Sequence, residues 1–214
     1  MEWAPLVAIY ESRLWRRSAL FAFFMGISFD REYALIAEVA KLQPGSRVLD
    51  LACGPGIYAR PFARDTGGGL VCGLDLSVPM LRYAWQSAQA EGLSNLLLVR
   101  GDAQDLPFPA AGFDLVNCCG GLHLFADPGR VLREVHRVLR PGGRVTIAAF
   151  RRGEDWIAER RAAVQKRLFG IGAFTAHSLD LLLDGAGFSG ATCLHSSGAW
   201  LIMTARRSPE AMTS

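Results

Sequence analysis

Residues 48–56 read Val48-Leu49-Asp50-Leu51-Ala52-Cys53-Gly54-Pro55-Gly56. The apolar run predicts a buried parallel strand, interrupted by one acid and closed by a glycine turn. Gly54 and Gly56 carry no Cβ, so a ligand can come close to the main chain there. Open α/β sheets bind ligands at such turns, outside the carboxyl ends of their strands.

Strand and helix signals alternate outward from this stretch. Strand 46–51 leads to a helix over 56–65, strand 70–74, and a helix over 78–91 that Ser77 caps and Pro79 enters. Strand 96–100 follows, then a loop with Pro107 and Pro109 and strand 113–119. Asp127 or Pro128 opens a helix that ends near Leu139, and the turn Pro141-Gly142-Gly143 precedes strand 144–150. This alternation predicts a mostly parallel sheet with helices on both faces. Beyond it come a polar helix over 153–168, a joint at Gly170 and Gly172, a helix over 177–185, and strand-like runs 191–195 and 199–205. The link Ser196-Ser197-Gly198 is too short for a helical crossover, so the last two strands must be antiparallel.

Ahead of the core, Trp3, Leu6, Val7, Tyr10 and Leu14 recur at helical spacing over 3–17. Three readings stay open: a packing helix, a lid over a ligand site, or a helix resting on a membrane surface. A second helix is expected over 30–41, with Asp30 as N-cap. The expected organisation is a single domain over 1–214. It divides into a helical lid at 1–34, a core at 35–150, a substrate-side insert at 151–175, and a last helix and hairpin at 176–206. The tail from Ser208 should fray.

Composition excludes several classes. Of 214 residues, half are hydrophobic and a fifth charged, an ordinary globular balance. A net charge of +3 and the absence of one basic face argue against nucleic acid. The five cysteines form no CxxC pair, and the four histidines are scattered, so no metal is expected. The apolar run 19–27 is too short to span a bilayer and lacks a cleavage site, which makes a cytoplasmic location the expectation, with peripheral membrane contact still open.

Gly54-Pro55-Gly56-Ile57-Tyr58-Ala59 fits the loose dinucleotide pattern G-x-G-x-x-A, and Asp75 ends the second strand 19 residues after Gly56. An acid there hydrogen-bonds ribose hydroxyls, so any adenosine-containing ligand satisfies both features. Asp50 places a carboxylate beside the ligand and suits a cation better than a pyrophosphate. Pro55 removes an N–H that a phosphate would want.

With these residues in order, the chain resembles the class I S-adenosylmethionine-dependent methyltransferases over about 35–206. Asp50–Gly56 is similar to the family's first motif, Asp75 to its ribose acid, and Gly101-Asp102-Ala103-Gln104 to its adenine segment. Phe113-Asp114-Leu115-Val116 resembles its fourth strand, and Leu139-Arg140-Pro141-Gly142-Gly143 the turn before its fifth. The flavour is that of the ubiquinone and menaquinone C-methyltransferases and other small-molecule enzymes. The resemblance implies a Rossmann-like, doubly wound seven-stranded α/β sheet, mostly parallel with an antiparallel last strand, plus N-terminal helices. It implies S-adenosylmethionine as cofactor, S-adenosylhomocysteine as product, and a small-molecule acceptor. It assigns cofactor contacts to Asp50, Ala52, Cys53, Gly54, Gly56, Asp75, Leu76, Met80, Asp102, Ala103 and Cys118, the last through its backbone. Met80 and Leu76 also fit a plain core role, and Asp102 a loop cap.

A sulfonium donor needs alignment and water exclusion more than a catalytic motif. His123, in Gly120-Gly121-Leu122-His123-Leu124-Phe125, is the candidate base, with pocket lining or cofactor contact as the alternatives. His177 is read as a helix cap. Tyr10, Trp15, Phe21, Phe23, Phe24, Trp156, Phe169 and Phe174 lie in the N-terminal and insert segments and suit an apolar or aromatic acceptor. A nicotinamide oxidoreductase and a non-catalytic scaffold of the same fold are the competing readings.

Overall fold

A computed structural model describes Ser18, Ala22, Phe23, residues 25–153, Arg160, Arg167 and residues 171–208. The helix expected over 3–17, most of the polar helix over 153–168, and the aromatic residues Tyr10, Trp15, Phe21, Phe24, Trp156 and Phe169 lie outside the described residues.

Helix α1 spans Phe29–Ala40. Strand β1 is Val48–Leu51, followed by α2 at Ala59–Asp65, β2 at Val71–Asp75 and α3 at Val78–Ala90. Strands β3 (Leu96–Arg100) and β4 (Phe113–Cys119) come next, then a 3-10 turn at Leu122–Leu124 and α4 at Pro128–Val138. Strand β5 is Leu139–Phe150, α5 is Ala176–Gly185, and the chain closes with β6 (Phe188–Ser197) and β7 (Trp200–Arg207). The seven strands lie in the order β3-β2-β1-β4-β5-β7-β6. Strands β1 to β5 pair in parallel, and β7 runs antiparallel to both β5 and β6. The doubly wound sheet with its terminal antiparallel hairpin is the expected fold.

Apolar alternation divides the core between two faces. Ile36 of α1 and Phe62 and Ala63 of α2 pack with Val48, Leu115, Ala148 and Ile202. Val131, Leu132 and Val135 of α4 and Leu179 and Leu183 of α5 pack with Leu49, Leu51, Val116, Ile147 and Leu201 on the other face. Leu49, Leu51 and Ile147 are fully buried, so cutting any one to alanine costs about 2–5 kcal/mol.

Four local expectations need correction. Ser28, not Asp30, caps α1: it is extended, and its Oγ accepts from the Arg31 amide at 3.3 Å. Thr175, not His177, caps α5, through a reciprocal capping box with Ser178. Helix α2 begins only at Ala59, because Gly54 and Gly56 hold positive φ values of 51° and 78°. The expected turn at Pro141-Gly142-Gly143 lies within β5 as an irregularity between the pairs Phe113↔Leu139 and Leu115↔Arg144, where β5 advances five positions for two on β4.

Candidate functional site

From β1 the chain winds outward through β2 and β3, then returns to the other side of β1 as β4. The order therefore reverses between β1 and β4, and their carboxyl ends frame the crevice where such sheets bind ligands. Residues 51–56, 75–77 and 118–123 gather at this end through the registers Leu51↔Leu74, Asp50↔Asn117 and Cys118↔Ile147.

Asp50 is 1% exposed. Its Oδ1 accepts a hydrogen bond from Asn117 Nδ2 at 2.8 Å, and Asn117 Oδ1 accepts from Thr146 Oγ1 at 2.8 Å. These side chains follow one face because Asp50 pairs with Asn117, and Asn117 with Thr146, across the strands. Asp50 Oδ2 has no hydrogen-bond partner among the described residues. Burial pushes the Asp50 carboxyl up to about 7, against the lowering effect of Asn117 and the Ala59 amide and with a further push from the Asp75 charge. A buried acid with an orphan oxygen is costly unless something positive approaches it.

Ala52 holds φ 54°, a left-handed conformation unusual for a residue with a Cβ. The two glycines differ. A Cβ on Gly54 would meet nothing within 4 Å, so this residue opens onto free space. A Cβ on Gly56 would lie 3.2 Å from Ala84 Cβ, so Gly56 lets α3 approach the turn. Asp75 joins the two loops: Oδ2 accepts from the Gly54 amide and Oδ1 from the Ser77 amide, both at 2.8 Å. Each oxygen keeps a lone pair for a further donor.

The remaining expected residues divide by exposure. Leu76 is 59% exposed at the mouth, and Met80 is half-buried one turn into α3. Asp102 is exposed and its Oδ1 accepts from the Gln104 amide at 2.9 Å, the loop-capping geometry. Ala103 is buried in the core beside it. Cys53 is buried, with its Sγ 2.9 Å from where a Cβ on Gly73 of β2 would stand. Cys118 is buried and its thiol is pushed up to about 12, chiefly by that burial. It would act through its backbone.

His123 lies in the 3-10 turn past β4 and is 5% exposed. Its ring packs 4.4 Å from Phe150 and 6.2 Å from Trp200, centroid to centroid. Nδ1 is buried with no hydrogen-bond partner among the described residues. Burial lowers its pKa to about 4, so the imidazole is neutral at physiological pH. The His123 carbonyl accepts from the Gly172 amide at 2.7 Å, and Phe174 bonds back to Phe150, so segment 171–175 straps this turn to β5. His177 is exposed at the start of α5 and is not among these residues.

Several residues at the site carried no motif. Asn117 and Thr146 look like strand residues of no particular chemistry, and only the cross-strand register brings them to Asp50. Gly121 allows the β4 loop to touch the β1 loop, since a Cβ there would stand 2.7 Å from Ala52 Cβ. Phe150 and Trp200 become neighbours of His123 through the β5–β7 pairing Phe150↔Trp200. Trp200 Nε1 also donates to buried Glu32 Oε1 at 2.8 Å, which ties α1 to β7.

The donors and spaces present fit an adenosine-bearing cation: an orphan carboxylate oxygen, an open glycine backbone and an acid at the next strand end. Comparison with known proteins agrees. Residues 49–147 match the family described as "Methyltransferase domain". The chain is 41% identical over 121 residues to a demethylmenaquinone methyltransferase of Geobacillus kaustophilus, covering 55% of this chain and 52% of that protein. It is 33% identical over 150 residues to an uncharacterised chloroplastic methyltransferase of Arabidopsis thaliana, covering 68% and 42%. These alignments span about half the length of the curated relatives. In fold, the YcgJ protein of Bacillus subtilis superposes with a TM-score of 0.73 at 19% identity, covering 85% of this chain and all of that one.

Proposed function

We propose that the chain, through the methyltransferase domain at residues 49–147, is a class I S-adenosylmethionine-dependent methyltransferase that methylates a small apolar or aromatic molecule. The observation that carries this reading is Asp50: a fully buried carboxyl, held near neutrality in pKa, with one oxygen unpaired at the switch point.

Bound S-adenosylmethionine supplies a methyl group on a sulfonium, with a neutral thioether as the leaving group. The protein then has to bind, align and keep water out. Asp50 supplies negative charge toward the cationic amino-acid end. Gly54 offers backbone without side-chain bulk, and Asp75 offers its spare lone pairs to ribose hydroxyls. Asp102 and the backbone at Ala103 face the adenine side, while Leu76 and Met80 provide apolar cover. His123, Phe150 and Trp200 form an aromatic wall beyond β4, which suits a flat or apolar acceptor.

His123 is better placed to shape this wall and orient the acceptor than to remove a proton. A conjugate acid near 4 makes a weak base at neutral pH. Replacing it with phenylalanine should therefore leave the pH profile of turnover unchanged above pH 6 and raise KM more than it lowers kcat. Loss of an acid limb from the profile would restore the base assignment.

The relatives' named substrate makes demethylmenaquinone the first acceptor to try. The test is transfer of isotopically labelled methyl from S-adenosylmethionine to pooled small molecules, quinone precursors included. Label in an aromatic or apolar product is expected. Cofactor binding with no labelled product across the pools would favour a scaffold role instead.

A further inference from the structure

A second cleft, of about 370 Å³, lies at the opposite end of the sheet, where β1, β4 and β5 begin and β7 ends. Its wall includes the loop from Ala40 to Ser46, Asp114, Arg140, Gly142, Arg144 and Arg206. Four cations, counting Lys41, face a single carboxylate. That carboxylate is already engaged: Asp114 Oδ1 pairs with Arg140 at 2.6 Å, and Oδ2 accepts from the Arg47 amide at 2.6 Å. Lys41, Arg144 and Arg206 have no acidic partner among the described residues.

Strand register concentrates the charge. Arg144 on β5 and Arg206 on β7 are direct cross-strand partners. Like charges directly opposed on a sheet destabilise it. Burial lowers the Arg144 pKa, and the Arg206 charge lowers it further. The register thus sets two arginines opposite one another with no ion pair to either among the described residues, beside a glycine that leaves room: a Cβ on Gly142 would meet nothing within 4 Å. Guanidinium forks match the oxygens of phosphate, and a compact anion with two or three charges neutralises this excess best.

We propose that this cleft binds a diphosphate group, as the free ion or as part of a small phosphate ester, through Arg144, Arg206 and Lys41. The site stands apart from the methyl-transfer crevice, so neither reading depends on the other. A ligand here bridges β5 and β7 to the end of α1 and stabilises the hairpin edge by mass action.

The test is calorimetric titration of the whole chain with inorganic diphosphate, with sulfate and chloride at matched ionic strength, repeated in Arg206→Gln and Arg144→Gln. Saturable one-site binding of diphosphate is expected, with affinity falling about tenfold in each variant. The variants should keep S-adenosylhomocysteine affinity unchanged. They should also melt no lower than the parent without ligand, since a repulsion has been removed, and diphosphate should raise the melting temperature of the parent more than that of either variant. A nucleoside diphosphate that binds as diphosphate does would identify the diphosphate as the recognised group. Three results would overturn the proposal: sulfate or chloride matching diphosphate at equal ionic strength, variants binding like the parent, or diphosphate displaced by S-adenosylhomocysteine.

Discussion

At the scale of single residues, Asp50 carries the most chemistry. With its carboxyl near pKa 7, the free protein holds a proton on it through the weakly acidic range. A cation bound beside it would lower that pKa and release the proton. Cofactor-binding enthalpy at pH 6.5 should therefore vary with the ionisation enthalpy of the buffer, and Asp50→Asn should abolish the dependence. A buffer-independent enthalpy in the parent would separate Asp50 from the cofactor. The two glycines make a sharper contrast. Gly54→Ala introduces strain of about 1–2 kcal/mol at positive φ but fills open space, so it should cut cofactor affinity more than stability. Gly56→Ala adds a contact with Ala84 to the same strain, so its main loss should be in unfolding free energy. Chemical denaturation and cofactor titration of the two variants distinguish these roles.

Asp50 and His123 also pull stability in opposite directions with pH. Asp50 keeps its proton in the fold between about 3.8 and 7 while the unfolded chain has lost it, so its contribution is lost as pH rises through that window. His123 stays unprotonated in the fold between about 6.5 and 4 while the unfolded chain gains a proton, so its contribution is lost as pH falls. Each slope is about 1.4 kcal/mol per pH unit, and the two oppose each other between pH 4 and 6.5. Urea midpoints should reveal them by difference. Relative to the parent, Asp50→Asn should gain stability as pH rises through that interval, and His123→Phe should lose it. Parallel pH curves for all three proteins would contradict the shifts.

At the scale of elements, the strand signals around Asp50 and the βα alternation were legible because apolar runs and turn residues are local. The hairpin was legible because three residues cannot make a crossover. What escaped depends on register. Asn117 and Thr146 reach Asp50 only when β4 lies between β1 and β5. Asn117→Ala removes the only side-chain donor to Asp50 among the described residues and should destabilise the fold by about 1–3 kcal/mol, more at pH 8 than at pH 5.5, where the acid is neutral. Equal losses at both pH values, by urea unfolding, would mean that the network is only packing. Caps escaped for a smaller reason. Ser28 and Asp30 are both good N-caps by residue type, and only the backbone at Ser28 chooses between them. The bland look of Pro141-Gly142-Gly143 as a turn missed that β5 absorbs it while keeping its pairing to β4.

At the scale of the whole molecule, the reversal of strand order between β1 and β4 makes one end of the sheet a crevice and leaves the other end to the basic cleft. At the carboxyl end of β4 and β5 an aromatic cluster is built from three distant parts of the chain: His123 after β4, Phe150 at the end of β5, and Trp200 at the start of β7. No motif spans these positions, which is why the methyl donor was legible in the sequence and the acceptor was not. Among the described residues, no helix is long and apolar enough to cross a membrane. The central claim is that the crevice holds a cationic methyl donor against Asp50. It is tested most directly by titration calorimetry of the parent and Asp50→Asn proteins with S-adenosylmethionine and with its neutral-sulfur product, S-adenosylhomocysteine. Saturable binding of both by the parent is predicted, with Asp50→Asn losing comparable affinity for the two, because the ammonium group that Asp50 faces is common to them. A folded parent that binds neither, or a variant that binds both as the parent does, would contradict it.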